Sequence, residues 1–294
     1  MAEHFNIERL MDTSGKVDLS DINWSDVPKH PLTPEAIRCL RYFLLTENST
    51  VFYVKTLMTT KAVFEEPELA PFLCVWMYEE EYHGRAFRRF LEAYGEPIEP
   101  TYRADMFMSR GPGERIDEIG QIALGKLFPT HWPAVHMVWG VIQEFTTYTA
   151  YQALIERIDH PILTKICQRI MKQELRHYAF YREQARRRLQ HPMAQKINSA
   201  AVKIGWTPVG DGMCAKEEVV HSIRFLFDGL DGEAIRRIEE KVRRDLPGLE
   251  WFDMFTKFAE RYDIRRAPDH WFPKNFRANS KANGSTTGIE VEAN

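Results

Sequence analysis

The chain has 294 residues, 44% of them hydrophobic and 28% charged, with a formal net charge of −3. This is the composition of an ordinary globular protein, and it excludes nucleic-acid binding through bulk charge. The opening MAEHFNIERLMDTSGK has early acids and no apolar run, so it does not read as a secretory signal. The longest apolar runs, such as residues 71–78, are too short to span a bilayer.

Residues 1–31 read as a turn-rich N-terminal arm laid over the helices of the chain. Thr33-Pro34-Glu35 is a helix start, with Thr at the cap, Pro in the first turn and an acid near the positive end. The first long helix is expected to run from there to about residue 59. A second is expected over about 71–94, stopped by Gly95 with Pro97 beyond. Five Pro and Gly residues between 96 and 115 predict a long connection, with a short helix over about 117–127. A third long helix comes next over about 133–157, and Asp159-His160-Pro161 opens a fourth that reaches about residue 189.

Residues 191–275 are expected to hold two or three further helices packed on the bundle as part of the same domain. The stretch 276–294 lacks apolar periodicity and is expected to be disordered. No strand pattern stands out, so the predicted fold is all-α: a four-helix bundle over residues 32–190, with a long crossover between its two hairpins. Cys39, Cys74, Cys167 and Cys214 have no Cys-x-x-Cys spacing and read as free thiols of a reducing, cytoplasmic setting, Cys167 being buried.

Each long helix carries acidic or imidazole groups on its apolar face. The second has Glu80 and His83 between Leu73, Trp76, Met77 and Phe87. The fourth has Glu174 and His177 between Ile166, Ile170, Met171 and Tyr181. Both pairs are Glu-x-x-His, and a spacing of three puts carboxylate and imidazole on one side of a helix. On the first helix Glu47 shares the stripe of Leu40, Phe43, Leu44, Val51 and Val54. On the third, Glu144 shares that of Met137, Gly140, Val141, Thr147 and Tyr151. A lone buried carboxylate is costly, whereas four carboxylates and two imidazoles balance two divalent ions. Glu47, Glu80, His83, Glu144, Glu174 and His177 are therefore the expected metal ligands, and hard O/N donors suit iron or manganese.

These motifs resemble those of the ferritin-like dimetal-carboxylate oxidoreductases, and most closely the soluble acyl-carrier-protein desaturases. Glu80-Glu81-Tyr82-His83-Gly84 looks like that family's first pair, Glu174-Leu175-Arg176-His177 like its second, and Glu47 and Glu144 like its two remaining ligands. Thr147, one turn past Glu144, is similar to its active-site Thr; the other reading of Thr147 is a hydroxyl bonded to its own helix. The resemblance departs at Gln173, where the family carries an acid associated with electron delivery, and the chain is shorter than the family's plant enzymes.

What the resemblance implies is a pair of iron ions, O2 as co-substrate, and attack on an unactivated C–H bond of a fatty-acyl or similar chain, by desaturation or hydroxylation. It further implies a substrate carried on acyl carrier protein or coenzyme A, a ferredoxin-like electron donor and a homodimer. Alternatives on the same scaffold are an amine N-oxygenase and a non-enzymatic iron-binding protein. The N-oxygenases add a His where this chain has Ile170. A radical-generating subunit is a further one, for which no single Tyr stands out.

Among secondary groups, Tyr148, Tyr151, Tyr178, Tyr181, Trp76 and Trp139 read mainly as core aromatics. Glu79 and Glu81 read as solvated or as supports for the histidines. Arg182, Arg186, Arg187 and Arg188 read as a dipole-favoured helix end or as a docking patch for an acidic carrier.

Overall fold

A computed structural model describes residues 5–227 and 232–264. The expected tail at 276–294 and part of the expected C-terminal segment lie outside the described residues. The described residues form α1 (Ile7–Thr13), α2 (Pro34–Glu47), α3 (Thr50–Leu57), α4 (Ala62–Glu65), α5 (Leu69–Tyr94), α6 (Tyr102–Ser109) and α7 (Pro112–Leu127). These are succeeded by α8 (Trp132–Arg157), α9 (Pro161–Arg188), α10 (Pro192–Gly205), α11 (Lys216–Phe227), α12 (Glu233–Asp245) and α13 (Met254–Arg261). The fold is an all-α helical bundle, and no described helix is long and apolar enough to cross a membrane.

The long elements α2, α5, α8 and α9 surround the core, with α10, α11 and α12 lying against α2 and α8. One apolar cluster runs from Leu10 to Phe258 and includes Phe87, Phe90, Met137, Ile166 and Phe180. Local chemistry sets the helix starts. Thr33 accepts a hydrogen bond from Ala36 N, and His160 accepts one from Leu163 N while its other ring nitrogen meets Val27 O. Cys39 and Cys167 are buried, and all four thiols are free.

Three expectations need correction. The first long helix does not reach residue 59: it ends at Glu47, and α3 restarts at Thr50. Short polar side chains compete for its last carbonyls. Asn48 Nδ2 donates to Leu44 O, Ser49 Oγ to Thr46 O and Thr50 Oγ1 to Glu47 O. The restart turns Val51 outward, so it leaves the apolar stripe, as does Met77 on α5. The connection over 96–115 is not structureless, because α6 and the start of α7 fall within it. Beyond residue 190 there are four helices among the described residues rather than two or three.

Two close approaches bring the site together. At Gly84 on α5 a Cβ would stand 1.9 Å from Asn48 Nδ2, so only glycine lets the break after α2 press against the turn that carries His83. At Gly140 on α8 a Cβ would stand 2.2 Å from the Tyr181 ring, which fixes α8 against α9 one turn before Glu144.

Candidate metal centre

All six side chains expected as ligands meet inside the bundle, and all six are buried. They form two overlapping groups, Glu47, Glu80, His83 and Glu174, and Glu80, Glu144, Glu174 and His177, each with ligand atoms within 4.8 Å of one another. Glu80 and Glu174 belong to both. The geometry therefore describes two half-sites sharing two carboxylates, with Glu47 and His83 at one end and Glu144 and His177 at the other.

Partners outside the pair fix the tautomers. His177 Nε2–H donates to Glu79 Oε2 at 2.8 Å, and His83 Nε2–H donates to Gln173 Oε1 at 2.8 Å. Each Nδ1 is then a lone pair aimed inward. His83 Nδ1 stands 3.3 Å from Glu47 Oε2 and 3.2 Å from Glu174 Oε1. His177 Nδ1 stands 3.3 Å from Glu80 Oε1 and 3.4 Å from Glu144 Oε2. His177 Nδ1, Glu144 Oε2 and Glu174 Oε1 have no hydrogen-bond partner although buried. Lone pairs facing carboxylate oxygens repel unless a proton or cation stands between them. Donors bound to one ion at about 2.0–2.2 Å lie about 3.0–3.5 Å apart, which is the spacing seen here. The donor set fits two divalent ions.

Electrostatics agree. Burial pushes the Glu80 carboxyl up to about 8, helped by Glu174 and Glu47, and drives Glu144 well above the ordinary carboxylate value. Burial opposes charge on His83 and His177, but the facing carboxylates outweigh it and raise both well above the usual imidazole value. For Glu174 burial acts upward, and the two imidazoles overcome it and hold the group low. Without a cation the cluster holds protons in its place.

Glu79 is the outer partner that helical periodicity did not single out. It is fully buried and accepts from Gly15 N, Gln173 Nε2, Arg176 Nη2 and His177. Burial raises its carboxyl, and His177 and Arg176 outweigh that, so it stays ionised. Glu81 instead pairs with Arg103 at the surface. Tyr151, read from sequence as core, donates to Glu47 Oε1 at 2.6 Å. Tyr178 bonds Asp245, and Tyr181 packs edge-on to Phe72 and Trp76.

Thr147 is half-buried. Its neighbours Thr146 and Thr149 donate to Ile142 O and Phe145 O, and no such bond engages Thr147 among the described residues. It lines an apolar cavity of about 30 Å³ with Phe43, Thr46, Ala150, Leu226 and Phe227. Of the four arginines near the end of α9, Arg187 and Arg188 are bound to Glu66, and Arg187 also to Glu68. Arg182 lies over Tyr178 beside Asp245. Arg186 and Arg187 are the exposed members of the cluster.

Comparison with known proteins adds one result. No curated protein matches the chain. A family model described as fatty acid desaturase matches residues 25–203, more than half of the chain and the whole of the stretch that carries the six converging side chains. The chain belongs to the fatty acid desaturase family.

Proposed function

We propose that the protein is an O2-dependent, non-haem di-iron oxidoreductase of the soluble acyl-carrier-protein desaturase type, built on a ferritin-like bundle and working in the cytoplasm. The observation that carries this is the pair of half-sites sharing Glu80 and Glu174. On this reading Glu47, Glu80, His83, Glu144, Glu174 and His177 hold two irons, with manganese the alternative. Bound iron supplies the O2 activation needed to break an unactivated C–H bond of a fatty-acyl chain.

The protein's own groups do the rest. Glu79 and Gln173 hold the two imidazoles with Nδ1 inward. Phe43, Ala150, Ile223, Leu226 and Phe227 offer an apolar wall for the acyl chain and keep water away. The cavity there is only about 30 Å³, so side chains of α11 and α2 must move to admit a chain. Thr147, one turn past Glu144 and lining this cavity, is assigned proton donation at the centre by its resemblance to the family's active-site Thr.

Delivery of the chain on acyl carrier protein or coenzyme A, electrons from a ferredoxin-like donor, and a homodimer rest on family analogy. The arginine cluster lends the carrier little support, since Arg187 and Arg188 are neutralised by acids. The test is to load the chain anaerobically with Fe(II), count iron, admit O2 with a reductant, and analyse an acyl-carrier substrate. Two irons per chain and a new double bond or hydroxyl support the proposal. One iron or none, or O2 uptake with the acyl chain unchanged, overturns it.

A further inference from the structure

The arm before α2 is bonded into the outer ring of the candidate centre. Gly15 is joined twice: its N–H donates to Glu79 Oε1 at 3.1 Å, and its carbonyl accepts from Gln173 Nε2 at 2.7 Å. Beside it Arg176 reaches Thr13 O at 3.4 Å. Further along the arm Arg169 binds Asp18 O and both carboxylate oxygens of Asp21. Leu10 and Val17, on either side of Gly15, are buried.

Gln173 commits both ends of its amide. Oε1 accepts from His83, and Nε2 donates to Gly15 O and Glu79 Oε1. The bonds thus run in one chain from His83 through Gln173 and Glu79 to His177, with the Gly15 peptide bridging its middle. A carboxylate at position 173 could still take the His83 proton. It could not donate to Gly15 O, and it would stand as a second negative charge against buried Glu79. The amide is what allows the arm to close here.

We propose that the N-terminal arm is a latch on the metal centre, closed through Gln173 as a positioning residue, so that arm docking and metal retention stabilise one another. The proposal rests on the metal-site reading given above. Linkage makes the effect reciprocal: whatever factor the docked arm adds to metal affinity, bound metal adds to arm docking.

The test compares the full chain with Gln173→Glu and Arg169→Ala. Arg169 touches the arm but no ligand, so its loss loosens the arm without altering the centre directly. Two quantities are read: amide exchange over residues 10–21 with and without Fe(II), and the rate of Fe(II) loss to excess chelator under nitrogen. Expected results are slower exchange at Gly15 once iron is bound, and iron loss roughly severalfold faster in Gln173→Glu, which keeps an acceptor for His83 but loses the bond to Gly15 O. Arg169→Ala should raise arm exchange and speed iron loss by a smaller factor. Arm exchange indifferent to iron overturns the latch. So does an Arg169→Ala chain with a loosened arm and wild-type iron release. A wild-type chain that binds no iron sinks the metal-site reading itself, whereas two bound irons with an uncoupled arm sink the latch alone.

Discussion

Tyr151 donates its phenol proton to Glu47 Oε1 at 2.6 Å, while Glu47 Oε2 faces His83 Nδ1 at 3.3 Å. One oxygen of Glu47 is thus restrained and the other offered inward. Glu144, its counterpart in the other half-site, has an Oε2 with no hydrogen bond. Phe43 and Phe87 pack on the Tyr151 ring at 5.1 and 5.9 Å, so Tyr151→Phe keeps the packing and removes one bond. A hydrogen bond to a charged group is worth about 1.5–3 kcal/mol, or roughly tenfold or more in affinity. In a Fe(II) titration one binding step should weaken by about that factor and the other hold. Two unchanged steps would show that the bond is irrelevant to the metal.

The shared carboxylates and the end carboxylates should behave differently. Glu80→Ala or Glu174→Ala removes a donor from both half-sites, and bound iron should fall towards none per chain. Glu47→Ala or Glu144→Ala removes a donor from one half-site and should leave close to one. Circular dichroism on the same samples checks the fold. An order reversed between the two sets rejects the assignment of Glu80 and Glu174 as shared.

Glu79→Ala removes four hydrogen bonds from a fully buried site and leaves His177 Nε2 without its acceptor. Metal affinity should drop about 10–100-fold. Glu79→Gln, which can still accept from His177, should recover part of the loss. Equal affinity in wild type and Glu79→Ala would mean that the imidazole needs no outer partner.

The six converging residues were legible because a helix converts spacing into direction. Intervals of three and four put Glu80 with His83, Glu174 with His177, and Glu47 and Glu144 on apolar stripes. The outer partners were legible only in part: Glu79 was open to reading as a support for a histidine or as solvated, and its claim on His177 exists only once α5 and α9 are packed. Gln173 was noticed as a departure from a resemblance, yet its bond to Gly15 depends on where a distant arm comes to rest. Tyr151 looked like any core aromatic, because burial alone does not reveal that its hydroxyl reaches Glu47. The break after Glu47 had a signal, the run Thr46-Glu47-Asn48-Ser49-Thr50, whose side chains cap carbonyls as readily as they continue a helix. The Pro and Gly residues around α6 drew attention away from the short helix they enclose.

Gly84→Ala tests the close approach that seats this break. The added methyl would stand 1.9 Å from Asn48 Nδ2 and 2.7 Å from its Cγ, and Asn48 is buried and bonded to Leu44 O. Overpacking of this kind costs about 1–3 kcal/mol. The double variant Gly84→Ala with Asn48→Ala should regain most of the loss, because the obstructing amide is gone. Unfolding midpoints of the two singles and the double give the coupling, and additive losses would refute the contact.

Proton linkage supplies the last prediction, and its sign is fixed by the direction of the shifts. Glu80 is raised to about 8, and Glu144, His83 and His177 are raised as well. The metal-free folded state therefore binds more protons at neutral pH than the unfolded chain does. Stability must fall as pH rises wherever the folded state holds the extra protons. For the carboxyls the window opens at the ordinary value of 4.5 and, for Glu80, closes near 8; for the two imidazoles it opens at 6.5. Glu174 is shifted the other way, so its stabilising share is already complete above 4.5 and is lost only in acid. Metal displaces the protons and removes the penalty. Burial shifts His136, His160 and His221 the other way, so they favour the folded state as pH rises to 6.5. The melting temperature of the metal-free protein should thus decline from about pH 6.5 to about pH 8 while that of the iron-loaded protein stays level, and iron affinity should rise over the same interval. A metal-free protein that grows more stable across that range would reverse the sign and place the protons elsewhere.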